Sequence, residues 1–165
     1  MKKNRTMAEH FGWRFHPFSD TRRPAAPFYS VRDTRIADQA VLLLQQGKSF
    51  AVTGPSGTGK STLVEDLLAN LDANYYCKVH VHYGGLQRVA LLKAIGGQLG
   101  VETNGRAVPL LTKLQSQIAG LANGSHPVYP VICVDDAQLL ERQSFLDLCS
   151  LIVCARLLTS SELIG

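Results

Sequence analysis

Ser49-Phe50-Ala51-Val52-Thr53-Gly54-Pro55-Ser56-Gly57-Thr58-Gly59-Lys60-Ser61-Thr62 is the stretch that decides the fold. From Gly54 on, it has the spacing G-x-x-x-x-G-K-S. Glycines at Gly54, Gly57 and Gly59 allow turns that a Cβ would forbid. The N–H groups of such turns converge into an anion-binding nest. A helix starting at the loop adds unpaired N–H donors and a partial positive charge. The motif therefore reads as a phosphate-binding loop, or P-loop, formed by Gly54, Pro55, Ser56, Gly57, Thr58, Gly59, Lys60, Ser61 and Thr62. In it, Lys60 reaches toward the outer phosphates of a nucleoside triphosphate, and the Ser61 hydroxyl is a ligand for Mg²⁺.

The flanks supply the context. Ser49–Thr53 is a short β-prone run, read as a strand. Leu63, Leu67, Leu68 and Leu71 follow at helical spacing. Strand, loop and helix in that order are what the motif requires.

Further out, Ser30 is placed to cap a helix running to about Gln46 and closed by Gly47. Tyr75–His82 reads as a second strand, with Lys78, His80 and His82 on one face. The two histidines suggest a metal pair, but the sequence offers no third ligand nearby, so surface or satisfied histidines are expected. Leu86–Leu99 and Leu110–Leu121 trace two amphipathic helices, read as core.

Tyr129-Pro130-Val131-Ile132-Cys133-Val134-Asp135-Asp136 is the second informative stretch. A wholly apolar run suggests a strand buried on both faces. It ends in two acids at the carboxyl end, where open α/β sheets bind ligands. This is the Walker B pattern. Asp135 is the candidate metal-site carboxylate, and Asp136 is placed to orient an attacking water. Hydrolytic members of the class usually carry Asp-Glu there, and the shorter Asp136 leaves room for slow turnover or a nucleotide-gated switch. Gln138 to about Leu148 reads as the following helix. Leu151–Cys154 either extends it or forms a stunted fourth strand.

The chain has 165 residues, enough for one domain with a real core. Its net charge of +4 permits an anionic partner without arguing for one. Residues 1–10 are expected to be a flexible basic N-terminus and residues 11–165 the folded core. Aromatics between Phe11 and Tyr29, broken by prolines, are expected to lie across the domain surface, either as packing or over a bound adenine. The four cysteines, Cys77, Cys133, Cys149 and Cys154, lack C-x-x-C spacing and read as reduced thiols. No run is long enough to span a bilayer and no secretory signal is visible, so a soluble cytoplasmic protein is expected.

With Phe11-Gly12, Pro17-Phe18, Phe28-Tyr29, the P-loop and Asp135-Asp136-Ala137-Gln138 in hand, the chain resembles the AAA+ ATPases of the general-secretion-pathway A type. It is similar also to their relatives, the transposition-helper ATPases. The resemblance covers about residues 8 to 150. It implies an α/β fold, a three-layer α/β/α P-loop NTPase with a parallel sheet of strand order 5-1-4-3-2. It implies ATP and Mg²⁺ as ligands, homo-oligomerisation of the full-length form, and a partner such as DNA with a transposase, or secretion components. The later strands, sensor, arginine finger and lid have no counterpart in the sequence, so an incomplete core is expected. Two alternatives stay open. One is a P-loop small-molecule kinase, for which Arg106, Arg142 and Arg156 are too scattered to form a lid. The other is a nucleotide-gated binding module without turnover.

Overall fold

The computed structural model describes residues 6–13, 29–104 and 106–159, and the side chains of these except 8 and 153–159. Helix α1, Met7–Phe11, stands where a flexible start was expected. A reciprocal cap forms it: Thr6 N–H donates to Glu9 Oε2 at 2.9 Å, and Glu9 N–H to Thr6 Oγ1 at 3.3 Å. Residues 1–5, and most of the aromatic segment from 14 to 28, lie outside the described residues.

Helix α2, Val31–Gln45, begins as the sequence indicates. Ser30 and Asp33 form a capping box, and Gly47 at φ 64° turns the chain away. Lys48 N–H returns to the Leu43 carbonyl at 2.8 Å. Helix α3, Lys60–Asn70, packs against α2.

The sheet holds two parallel strands among the described residues, β1 (Tyr76–Val81) and β2 (Tyr129–Val134). Tyr76 faces Tyr129 and Val81 faces Val134. These are the second and third strands of the expected order, side by side as it requires. Side chains alternate across β1. Val79 and Val81 enter the core, whereas Lys78, His80 and His82 point to the face that α3 covers. The free edge of β1 is closed by a side chain. Gln98 accepts from His80 N–H at 2.9 Å and donates to His80 O at 3.0 Å, as a neighbouring strand would.

Helices α4 (Arg88–Gln98) and α5 (Ala107–Ala122) cover the other face. Helix α6, Arg142–Thr159, packs outside them. Leu91, Leu92, Ile95, Leu110, Leu114, Ile118 and Leu151 form the centre of the core. Truncating one such side chain to alanine costs about 2–5 kcal/mol. Arg88 at the start of α4 grips buried Asp147 of α6 through two hydrogen bonds, of 2.6 and 3.0 Å, fixing the two helices together.

Three expectations are corrected. Ser49–Thr53 is not a strand; it runs to the loop without sheet pairing. In the expected order its flanking strands are the fourth and fifth, neither of which stands among the described residues, and propensity alone does not stabilise a strand. Of the two readings left open for Leu151–Cys154, the structure takes the first: the segment continues α6, with Leu151 in the core beside residues of α4 and α5. β2 is half-buried along its length rather than buried on both faces, because among the described residues no strand pairs with its outer edge. The helix after Asp136 is also divided: a short 3-10 turn, Ala137–Leu139, precedes α6.

Candidate functional site

The P-loop joins an unpaired segment to α3. Gly57 and Gly59 adopt φ of 77° and 81°, conformations that side-chain-bearing residues rarely adopt. Gly59 is the N-cap of α3, and no side chain caps that end. The N–H donors of the first turn have no partner within the helix and are left to the loop. The Lys60 ammonium donates to Pro55 O at 2.8 Å, and the Thr58 hydroxyl donates to the same oxygen at 2.9 Å. Gly54 lies close behind them: a Cβ there would stand 3.4 Å from Thr58 Oγ1. Residues Gly54 to Gly59 and Ser61 are exposed, and Lys60 and Thr62 are half-buried.

The structure brings the two motifs together through one contact. The Ser61 hydroxyl faces the Asp135 carboxylate, and its polar interaction there is the main cause that holds Asp135 below the usual carboxylate range. The Asp136 N–H adds to it, donating to Asp135 Oδ1 at 3.0 Å, and His80 and His82 act in the same direction electrostatically. Partial burial opposes them. The pairing follows from topology: β2 ends beside β1, and α3 crosses the face of β1 that carries Lys78, His80 and His82. Lys78 Nζ ties down the far end of α3 by donating to Ala69 O at 3.1 Å.

Asp136 stands at φ 52°, ψ 40° and donates nothing further to this contact; its carboxylate accepts from Gln138 Nε2 at 3.1 Å. Among the described residues it alone, apart from glycines, has a positive φ. Such strain needs support from its surroundings. Gly84 supplies it. Gly84 N–H donates to Asp135 O at 2.7 Å, and a Cβ on Gly84 would fall 2.5 Å from Asp136 O.

The sequence reading also missed Glu65. It lies one turn beyond Ser61 on α3 and meets His80 and His82. The i, i+4 spacing from Ser61 was the available signal, since such residues share a helix face. His80 is held below the usual imidazole range by burial and by His82, against the pull of Asp135. The expectation that the histidine pair lacks a third ligand is thereby overturned.

The donor set fits a hard cation. Hydroxyl and carboxylate oxygens are what Mg²⁺ takes, with water and phosphate completing its shell. A cleft of about 480 Å³ between α2, α3 and the start of β1, lined by Val41, Leu67, Tyr75 and Tyr129, lies at the opposite end of α3 from the loop and shares none of its residues.

A family model described as an AAA domain matches residues 43–164. A shorter match joins 46 residues of the chain, at 41% identity, to the glutathione/L-cysteine transport system ATP-binding/permease protein CydC of Haemophilus influenzae. That match covers 28% of this chain and 8% of that protein. No solved structure matches.

Proposed function

The chain belongs to the AAA domain family, and from that premise we propose that it binds Mg²⁺-ATP at Gly54–Thr62 and hydrolyses it. The observation that carries the proposal is the approach of the Ser61 hydroxyl to the Asp135 carboxylate, which brings the loop to the end of a separate strand. The loop amides and the first turn of α3 hold the phosphates, and Lys60 compensates their charge. Ser61 and Asp135 would hold Mg²⁺, which when bound draws charge from the phosphate oxygens. Asp136 sits beside Asp135 and orients the attacking water, accepting its proton as the water oxygen bonds to the γ-phosphorus and the bond from that phosphorus to the bridging oxygen breaks, with ADP leaving. Its amide bond to Asp135 keeps the two carboxylates in fixed relation.

The Asp135-Asp136-Ala137-Gln138 run supports a finer reading, in which the nucleotide state controls a partner in DNA transposition or secretion and drives self-association of the full-length protein. No helix among the described residues is long and apolar enough to cross a membrane.

The test is titration of the protein with a fluorescent ATP analogue, with and without Mg²⁺, alongside a phosphate-release assay. Mg²⁺-dependent binding and release that both fall in Asp135→Asn support the reading. Binding that ignores Mg²⁺ and the substitution refutes it. Binding without release assigns the chain to the nucleotide-gated module.

A further inference from the structure

We propose that Glu65, His80 and His82 form a binding site for a divalent transition ion of the zinc class, beside but distinct from the hard-cation site at Ser61 and Asp135. One ligand atom from each lies within 4.8 Å of the others. The arrangement is built by two regular elements. Alternation along β1 sends both imidazoles to one face, and α3 crosses that face with Glu65 directed at them. The imidazole centroids stand 4.0 Å apart, tilted by 44°.

The chemistry selects the ion. Two imidazole nitrogens and one carboxylate suit Zn²⁺, Co²⁺ or Ni²⁺, whereas Mg²⁺ prefers oxygen donors throughout. Three protein ligands with a fourth position left to water is an established zinc arrangement. A second observation points the same way: His80 Nε2 is buried without a hydrogen-bond partner. A shielded polar atom left in that state is costly. Ligands at about 2.0–2.1 Å from a tetrahedral ion stand about 3.3 Å apart, so the three side chains need to draw in by at most about 1.5 Å. The exposed His82 has room to do so by side-chain rotation, and it gives the ion a route from solvent.

The test uses the untagged protein titrated with Co²⁺, read by the visible absorption of low-coordinate cobalt, with Zn²⁺ as competitor. A band that saturates at a single equivalent and is displaced by Zn²⁺ is expected. His82→Ala and Glu65→Gln, each checked for folding by circular dichroism, are expected to weaken Co²⁺ binding by more than about tenfold, at least the loss that follows removal of a supporting partner at metal sites. Lys60→Ala and Asp135→Asn are expected to keep the band, which separates this site from the nucleotide proposal. No visible band in the wild-type protein, or equal affinity in His82→Ala, overturns the inference.

Discussion

The Lys60 ammonium and the Pro55 carbonyl oxygen are 2.8 Å apart, so the loop is closed on its own cation. The Thr58 hydroxyl shares that oxygen. Lys60 spans the mouth of the loop, and a polyphosphate entering it exchanges a neutral acceptor for an anionic one. Charge-assisted hydrogen bonds are roughly twice as strong as neutral ones, so the exchange favours the phosphate.

Lys60→Ala is therefore expected to weaken ATP binding by about ten- to a hundredfold, the range for losing a hydrogen bond to a charged group. Folding stability should hardly change, because the bond to Pro55 is at the surface. Fluorescent-nucleotide titration and a urea melt measure the two. Unchanged nucleotide affinity would contradict the assignment of the loop.

Ser61→Ala is expected to raise the Asp135 pKa toward the ordinary carboxylate value, since the Ser61 hydroxyl is the largest cause of its depression. The sign follows from linkage. A carboxylate depressed in the folded state contributes stability above its unfolded pKa, near 3.9, and loses it as pH falls through the folded value. The wild-type protein should thus lose this contribution only below about pH 4, and Ser61→Ala should have less to lose. Carboxyl ¹³C NMR titration reads the pKa directly. A wild-type Asp135 titrating at or above the usual range would remove the contact that joins the two motifs.

Gly84→Ala is expected to destabilise the protein by about 1–3 kcal/mol, the cost of forcing a group into a packed place. Its new Cβ meets backbone atoms of Asp135 and Asp136, which have little freedom to retreat. Gly85→Ala is the control. The atoms nearest its Cβ belong to the Tyr83 side chain, which is exposed and can swing away. Urea midpoints at constant m-value compare them. Equal midpoints would show that the Gly84 approach is not a constraint.

Cys133 should resist alkylation. Burial, with a smaller contribution from Asp135, pushes its thiol pKa up to about 11. At pH 8 only about 0.1% is then thiolate, the reactive form. Iodoacetamide labelling of the native protein, read by peptide mass spectrometry, should leave Cys133 unmodified until the protein is unfolded. Rapid native labelling at pH 8 would contradict the burial.

Much of the fold was legible because it is local. The Ser30 cap, the Gly47 terminator and the turns at Gly57 and Gly59 act within a few residues of themselves, and each appears as read. The parallel neighbours β1 and β2 were legible through the family pattern. Ser49–Thr53 and Leu151–Cys154 were not. Both are apolar and β-prone, and whether such runs become strand, helix or extended chain depends on partners distant in sequence.

The sequence by itself determined a glycine-rich loop at a helix start, an acidic pair at a strand end, and the helices whose apolar faces form the core. Only the tertiary structure decided that Ser61 meets Asp135, that Gly84 lies against the backbone of Asp136, and that Glu65 completes the histidine pair. The reason is distance along the chain. Backbone preference and capping are set by neighbouring residues, whereas these contacts depend on how α3 lies across β1 and how β2 pairs beside it.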